Sequence, residues 1–221
     1  MQTLSKEIEL IIDSTPFIRE SLSEGLINTS ALARKIKPIL EGKSNSEIKQ
    51  SAIVMAISRL PLSKQESIQK RIQRVISDIG DVIVRSNLTK YNYSNYSGLS
   101  SNQAAFLKKT ESINDSFYTL SRGIAETTMI VNAQLCPFIE ANLDQKYLLT
   151  KRTGLSAITL KLPATNVKTE GIYYYILKKL AWKSISLEEV ISTTNEFTIV
   201  IQSAVVSQAF EVLANLEDKS M

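Results

Sequence analysis

Residues 154–216 constrain the fold most strongly, because strand-like and helix-like patterns follow one another there in a definite order. A first strand is predicted at 155–162, where alternate residues are apolar. A helix predicted at 172–181, two further strand-like runs and a second amphipathic helix follow it. The order β-α-β-β-α is satisfied by one sheet with two helices on a single face, which is the split βαβ plan.

The apolar periodicity also predicts which side chains of this stretch face the core. On the first strand these are Ile158, Leu160 and Leu162. On the helices they recur every three or four residues: Tyr173, Ile176, Leu177 and Leu180 in the first, and Val206, Ala209, Phe210, Leu213 and Leu216 in the second.

The same stretch resembles the ACT domain, the small ligand-sensing module best known as the regulatory part of aspartate kinases. The resemblance covers about the last third of the chain. It is carried by residues 154–163 (Gly-Leu-Ser-Ala-Ile-Thr-Leu-Lys-Leu-Pro), the helix start 169–173, the run 190–193 and the run 196–201. The resemblance implies regulation and does not imply kinase activity, because the remaining residues could not accommodate a kinase domain.

The resemblance also implies a ligand site. In ACT regulators an amino acid binds at the loop between the first strand and the first helix, at an interface between units. The matching positions here are Asn166, Val167, Thr169, Glu170, Gly171 and Ile172. Exposed amides at a helix start attract a carboxylate, and a glycine permits close approach. Glu170 can neutralise an ammonium group, but an acid in the first turn of a helix is equally well explained by the helix dipole. The alternative for the whole loop is a plain turn that binds no ligand.

A second, divergent copy of this plan is predicted at 78–150. A strand-like run at 82–93 precedes a helix around 102–113, strand-like runs at 117–121 and 127–131, a helix near 135–143 and a strand at 147–150. This order is a weak internal repeat, which we interpret as a second ACT-like unit. Tyr91, Tyr93 and Tyr96 lie among asparagines and serines, and they form either a wet strand edge or loop or a surface that stacks on a ligand.

The C-terminal copy lacks an evident last strand, because only residues 217–221 follow Leu216 and they are short and charged. Either residues 147–150 fill that place, or the sheet pairs with a neighbour in the same or another chain. Paired ACT units typically join their sheets. The resemblance therefore implies intramolecular pairing of the two copies or a homodimer.

Residues 1–77 are predicted to form helices that carry most of the positive charge. Between residues 28 and 75 ten lysines and arginines stand against three glutamates. Helices predicted at 31–39 and 46–60, joined by a turn at 41–45, suggest a helix-turn-helix module, and residues 25–36 resemble winged-helix regulators. Base contacts are then assigned to Lys49 and Gln50, and phosphate contacts to Arg34, Lys35, Lys43 and Arg59. The alternative is a helical cap or dimerisation domain of the same shape.

Composition argues against catalysis. The chain has no histidine, which removes the Ser-His and Cys-His nucleophile arrangements and the commonest transition-metal ligand. The single cysteine, Cys136, cannot form an internal disulfide and is interpreted as a small buried hydrophobe. No glycine-rich phosphate loop is present in the sequence. We therefore expect no enzymatic activity, no cofactor and no metal.

The sequence thus predicts an α+β protein: a helix-turn-helix-like domain with a linker helix at 1–77, a divergent ACT-like unit at 78–150 and an ACT domain at 151–221, the last two ferredoxin-like (βαββαβ). We expect a regulator that binds an amino acid through paired ACT units and controls DNA binding. The alternative is an ACT-based oligomerisation or enzyme-regulating scaffold without DNA binding.

The expected partners follow from this interpretation. They are a second copy of the chain, a small amino-acid ligand and double-stranded DNA. No membrane contact is expected, because the longest uncharged run, 197–210, is shorter than the ~20 residues of a membrane span. The N-terminus lacks the pattern of a signal peptide, so a cytoplasmic location is the default expectation.

Overall fold

The structure is a computed structural model that describes residues 2–15, 17–44, 46–61, 63–111, 113 and 115–217, with side chains except at 2, 3 and 63–67. The chain divides into two compact units, Met1–Arg74 and Val75–Met221. We call them the first and the second unit.

The first unit is helical and has one apolar core. Its helices are α1 (Gln2–Ser14), α2 (Ile18–Ser23), α3 (Thr29–Ser44), α4 (Gln50–Ser58) and α5 (Ser63–Ser77), the last of which contains the boundary between the units. The core is formed by buried aliphatic side chains of α1, α3 and α4, among them Ile8, Ile12, Ile36, Leu40, Ile53 and Ile57. Asn28 caps α3, since its Oδ1 accepts a hydrogen bond from the Ala31 amide at 3.0 Å.

Helix α3 is longer than the sequence predicted, and the expected turn at 41–45 is wrong over residues 41–44. The helix continues through Pro38, which lacks the N–H that would bond the carbonyl one turn earlier. Ile36 and Leu40, on either side of Pro38, are both buried, so the core holds the two halves of the helix in line. Ile39 is 49% exposed, and its neighbour Leu40 is the side chain that packs into the core.

The second unit is a mixed α+β structure in which the order β-α-β-β-α occurs twice. The first half comprises β1 (Val82–Ser94), α6 (Leu99–Thr110), β2 (Tyr118–Arg122), β3 (Glu126–Asn132) and α7 (Cys136–Asn142). The second half comprises β4 (Leu148–Lys161), α8 (Ile172–Trp182), β5 (Glu189–Ser192), β6 (Glu196–Gln202) and α9 (Val206–Ala214). The described strands form one six-stranded antiparallel sheet in the order β2-β3-β1-β4-β6-β5.

The two long strands β1 and β4 belong to both halves. They pair with each other from Val82↔Leu160 to Tyr93↔Leu148. The start of β4 thereby completes the sheet of the first half, and the start of β1 completes that of the second. The strand predicted at 147–150 is therefore not separate but is the beginning of β4, and the predicted boundary at 150/151 lies inside a strand. The missing last strand of the C-terminal copy is supplied within the chain.

An approximate two-fold relation links the halves through the directly paired residues Leu88 and Leu155. The residue before each is in the left-handed region, Asn87 at φ 58° and Gly154 at φ 68°. Register shifts in the β1–β4 pairing lie on either side of Leu88, as expected for strand bulges. The β1–β3 pairing of the first half and the β4–β6 pairing of the second correspond position by position. Leu88↔Asn132 matches Leu155↔Gln202, and Ser94↔Glu126 matches Lys161↔Glu196.

Apolar side chains are buried on both faces of the sheet. The helix-covered face of the first half carries a cluster that includes Tyr91, Tyr93, Phe106, Met129 and Ile139. In the second half, the predicted inward residues Ile158, Leu160 and Leu162 are all buried, as are Ile176, Leu180, Ala209, Leu213 and Leu216. The opposite face carries a smaller buried cluster of Leu88, Ile130, Leu155, Ala157 and Val200.

The predicted environments of four side chains are wrong. Tyr91 and Tyr93 do not lie at a wet edge or in a loop, because β1 is a central strand and both rings are completely buried. Tyr173 is partly exposed, since the inward stripe of α8 runs through Ile172, Ile176 and Leu180 instead. Phe210 on α9 is also exposed.

A candidate ligand cavity at the start of α8

A cavity of about 600 Å³ lies where the loop after β4 meets the start of α8 and the turn between β5 and β6. Its volume falls within the roughly 300–1,000 Å³ that small-molecule sites occupy. The lining residues are Asn166, Val167, Thr169, Glu170, Gly171, Ile172, Tyr173, Tyr174, Thr193 and Thr194. All six ligand-site residues named from the sequence are among them, and the sequence analysis missed Tyr173, Tyr174, Thr193 and Thr194 as lining residues.

Asn166 holds the loop to the neighbouring hairpin. Its side chain is only 4% exposed, and its Nδ2 donates to the Pro163 and Thr194 carbonyl oxygens, both at 2.8 Å. Residues 164–168 form a short 3₁₀ turn around it. The side-chain amide of Asn166 thus helps to shape the cavity, because it joins the loop after β4 to the turn between β5 and β6, and both segments line the cavity.

Gly171 and Ile172 set the start of α8. Gly171 precedes the helix at φ 87°, a left-handed conformation that an L side chain adopts only with strain. Ile172 is buried and anchors the first turn in the core. The first amides of a helix have no acceptor within the helix and carry the positive end of its dipole. The cavity wall therefore contains a helix start that is suited to an anionic group.

Tyr173 contributes an aromatic ring to the cavity wall, and a hydrogen bond and a ring contact hold it in place. The Tyr173 and Ser192 hydroxyls are 2.6 Å apart, and the Tyr173 ring stacks on Phe197 with centroids 5.0 Å apart. Val167 and Tyr174 at the rim are 66% and 49% exposed. The cavity is consequently open to the outside along a largely apolar rim.

Glu170 is the single charged side chain among the described residues that line the cavity. The remaining polar lining groups are the neutral hydroxyls of Thr169, Tyr173, Tyr174, Thr193 and Thr194 and the Asn166 amide. Two of these hydroxyls already have partners within the chain: Thr169 Oγ1 donates to the Thr165 carbonyl at 3.0 Å, and the Tyr173 hydroxyl is bonded to that of Ser192. No group of three or more acidic or cysteine residues in the described part of the chain is placed to hold a metal ion.

The first half repeats the anchoring of this loop. Asn95 donates through Nδ2 to the Gly123 and Ile124 carbonyls at 3.0 Å each, and its Oδ1 accepts from Thr127 Oγ1 at 2.7 Å. Gly98, at φ 95°, precedes α6 as Gly171 precedes α8. An asparagine that bridges to the hairpin turn and a left-handed glycine that starts the helix are therefore common to both halves.

The loops themselves differ between the halves. Only residues 95–98 connect β1 to α6, whereas residues 162–171 connect β4 to α8. In the shorter loop the Tyr96 ring stacks on Tyr147 with centroids 4.4 Å apart, and its hydroxyl accepts hydrogen bonds from Asn102 Nδ2 and the Asp144 amide. Aromatic side chains of the chain itself thus occupy the space beside the first-half loop.

In the first half, Glu140 of α7 forms a polar network with Tyr91 and Lys151, which we call the network below α7. The buried Tyr91 hydroxyl donates to Glu140 Oε1 at 2.6 Å, and Lys151 Nζ donates to the same oxygen at 2.8 Å. Burial raises the pKa of Tyr91, so the phenol remains a donor. The Lys151 ammonium, together with the Tyr91 hydroxyl, lowers the pKa of Glu140.

The six residues proposed to contact DNA lie on α3 and at the ends of α4. Arg34 and Lys35 are exposed on α3, while Lys49 precedes α4 and Arg59 follows it. Two of the six make contacts within the first unit. Lys43 Nζ pairs with Glu7 Oε2 at 2.9 Å, and Gln50 Nε2 donates to the Ser30 carbonyl at 3.3 Å. None of the described helices has both the length and the apolar character needed to cross a bilayer.

No protein-family model matches the sequence, and no curated protein matches it. Solved structures do match the fold. One is the aspartate kinase of Clostridium acetobutylicum, with a TM-score of 0.52 and 14% identity over 63% of this chain. The match spans 34% of the length of that enzyme.

The regulatory subunit of aspartate kinase from Thermus thermophilus, in its ligand-free form, also matches. Its TM-score is 0.50 at 9% identity, over 63% of this chain and 99% of that subunit. At this level of identity the likeness concerns the fold. The chain therefore contains the mixed α+β, ACT-type fold found in the regulatory parts of aspartate kinases.

Proposed function

We propose that residues 75–221 form a non-catalytic regulatory module that binds a free amino acid in the cavity at the start of α8. One observation carries the proposal: the six residues that the resemblance assigned to ligand binding line one cavity of about 600 Å³. The fold likeness to a regulatory subunit of aspartate kinase supports the regulatory role.

The chemistry of the cavity suits an amino acid. A carboxylate can accept hydrogen bonds from the amides at the start of α8, and Glu170 lies beside them to pair with an ammonium group. Val167 and the rings of Tyr173 and Tyr174 offer an apolar wall for the side chain. The lack of histidine in the chain supports a role without bond-making chemistry.

We further propose that the module acts through protein contacts. Val167 and Tyr174 leave apolar surface exposed at the rim of the cavity, and a covering partner would bury it together with the ligand. A second copy of the chain is the partner we favour, and a biosynthetic enzyme is the alternative. In this proposal the halves 78–150 and 151–221 are two ferredoxin-like, ACT-type copies that share strands.

Thermal unfolding in the presence of each of the twenty standard amino acids tests the ligand proposal. At least one should raise the midpoint by mass action. The variant Thr194→Trp, which fills the cavity, should abolish that shift, whereas Thr165→Trp, an exposed position outside the lining, should retain it. A flat response of the wild-type chain to all twenty would remove the proposal.

DNA binding by α3 and α4 stays a prediction that rests on the basic surface of the first unit alone. A gel-shift titration at low salt, compared with the double variant Arg34→Glu and Lys35→Glu, tests it. Binding through phosphate contacts should weaken steeply as salt rises and should be lost in the variant. No shift at low salt would leave the module as a regulator that acts by protein contacts.

A further inference from the structure

The two halves of the second unit differ in how they use one arginine of each central strand. Arg85 lies three residues before Leu88 in β1, and Arg152 lies three residues before Leu155 in β4. Because Leu88 and Leu155 pair directly and are related by the approximate two-fold, the two arginines occupy equivalent positions. Arg152 has a carboxylate partner, whereas Arg85 has none among the described residues.

In the second half, Glu188 supplies the carboxylate. Its Oε1 accepts hydrogen bonds from Arg152 Nη1 at 3.1 Å and from Gln202 Nε2 at 3.0 Å, and its side chain is only 16% exposed. Its backbone carbonyl accepts a further bond from Lys90 Nζ at 2.6 Å. An arginine and a side-chain amide thus hold the side chain of an acidic residue, while a lysine holds its main chain.

The first half contains the corresponding arginine and amide. Asn132 at the end of β3 corresponds in register to Gln202 at the end of β6. Phe117 contacts both members of the pair. Its carbonyl oxygen accepts a hydrogen bond from the Asn132 backbone amide at 3.1 Å, and its ring centroid lies 5.7 Å from Arg85 Cζ. Arg85 and Asn132 therefore lie on either side of one residue.

Both members of this pair retain unused hydrogen-bonding groups. Arg85 is exposed, and the cation–π contact with Phe117 positions its guanidinium while the N–H groups have no acceptor among the described residues. Asn132 Oδ1 is buried, and no group in the described part of the chain donates a hydrogen bond to it. A buried acceptor without a donor is unfavourable, so a bound molecule that supplies one is stabilised.

We propose that Arg85 and Asn132 form a docking site for an acidic residue of a polypeptide partner, in the place that Glu188 occupies in the second half. The partner's carboxylate accepts paired hydrogen bonds from the guanidinium. A main-chain N–H of the same segment donates to Asn132 Oδ1. An acidic residue in a peptide carries both groups, whereas a simple carboxylate ion carries the acceptor alone.

This site is independent of the amino-acid cavity, because the two share no described lining residue. Its rival internal partner is Asp115, an exposed acid two residues before Phe117 that forms no ion pair with Arg85 in the structure. Asp115→Asn should therefore leave binding of an acidic peptide unchanged. An increase of about tenfold or more in affinity would show that Asp115 occupies the site and would contradict the proposal.

Nuclear magnetic resonance titration of the full chain, followed at the side-chain N–H signals of Arg85, tests the proposal. The probe is an acetylated and amidated alanine–glutamate–alanine tripeptide, with the glutamine tripeptide as the neutral match and acetate as the simple carboxylate. The glutamate peptide should bind saturably and at least about tenfold more tightly than either. Arg85→Gln should abolish this binding, whereas Arg152→Gln, the same change at the equivalent position, should retain it.

Each outcome decides one part of the proposal. Because Arg85 is exposed and unpaired, Arg85→Gln should unfold at the wild-type midpoint, so that lost binding reflects the lost guanidinium. Equal binding of the glutamate and glutamine peptides would refute carboxylate recognition. Acetate binding as tight as that of the glutamate peptide would refute the role of the main-chain donor. Retained binding by Arg85→Gln would refute the site itself, and none of these results bears on the amino-acid cavity.

Discussion

The Tyr91 hydroxyl is the most deeply placed polar group of the network below α7. It and Lys151 donate to the same oxygen of Glu140, so a buried phenol and an exposed ammonium share one acceptor. Hydrogen bonds to a charged acceptor contribute more to stability than neutral ones. Tyr93, two residues along the same strand, accepts only a longer bond of 3.2 Å from Gln145 Nε2.

Tyr91→Phe should therefore lower the free energy of unfolding more than Tyr93→Phe does. We expect a loss of about 1–2 kcal/mol for the first and about 0.5 kcal/mol for the second, since both changes keep the ring and remove one hydroxyl. Urea unfolding followed by circular dichroism measures both. Equal losses would show that the Glu140 contact contributes nothing beyond an ordinary hydrogen bond.

Glu140 also predicts a pH dependence. Its pKa is lowered in the folded state by Lys151 and then by Tyr91, so its ionised form contributes stability above its ordinary pKa of 4.5. That contribution is lost as the pH falls through the lowered pKa. The midpoint of the wild type should exceed that of Glu140→Gln at pH 7, and the gap should narrow as the pH falls below 4.5 and through the lowered pKa. Because Glu140 is largely exposed, the gap should be small, and one that widened in acid would contradict the assignment.

Which site residues the sequence could predict depended on their distance along the chain. The loop and helix start at 166–172 are contiguous, so the resemblance located them together. Thr193 and Thr194 lie more than twenty residues further on and join the cavity through the Asn166 bond to the Thr194 carbonyl. Tyr91 and Tyr93 were misjudged because their polar neighbours occupy the other face of the strand, and the period of two points both rings inward.

At the scale of elements, the bulges in β1 and β4 explain the main error of the strand prediction. The sequence analysis predicted two separate strands, at 147–150 and at 155–162, with Gly154 between them. In the structure Gly154 is a left-handed residue within one continuous strand, and Asn87 is its counterpart in β1. A glycine in a strand marks a turn or a bulge equally well, and only the pairing partner decides between them.

Gly154→Ala should destabilise the second unit by about 1–2 kcal/mol. A Cβ atom at this position meets nothing within 4 Å, so the cost comes from the left-handed backbone alone. Gly42→Ala is the matched control, because Gly42 lies in α3 with equally open space and no positive φ. That change should stabilise its helix by roughly 0.5–1 kcal/mol. Thermal unfolding of the two variants should shift in opposite directions, and a shared direction would contradict the backbone argument.

The presence of the helices was predicted better than the residues at which they end. α8 and α9 were located to within a few residues because their apolar periodicity is strong. The end of α3 was missed because Pro38 and Gly42 both suggest termination, whereas the buried Leu40 keeps the last turns on the core. Tertiary burial overrode local preference at that point.

At the scale of the whole molecule, the sharing of β1 and β4 makes the second unit indivisible. The β1–β4 pairing extends along almost the full length of both strands, and each half takes its last strand from the other. The sequence suggested two successive copies, and the lack of an evident last strand in the C-terminal copy indicated that its sheet pairs with another strand. Local patterns left pairing within the chain and pairing in a homodimer as alternatives, and the structure shows the first.

Fragments 78–150 and 151–221 should therefore fail to fold when expressed separately. Each would expose the unpaired edge of a central strand and lose part of its core. Far-ultraviolet circular dichroism should show little ordered structure for either fragment, and mixing them should restore the signal of residues 75–221. Cooperative unfolding of one isolated fragment would refute the indivisibility of the unit.

Because each half completes the sheet of the other, the fold also limits which changes can accumulate during evolution. The loop of one half can be short and packed against stacked rings, as residues 95–98 are, while the loop of the other half lines a cavity. Deletion of either half would leave the central strand of the other half without its pairing partner. A half that binds no ligand would therefore be kept during evolution, because the other half cannot fold without it.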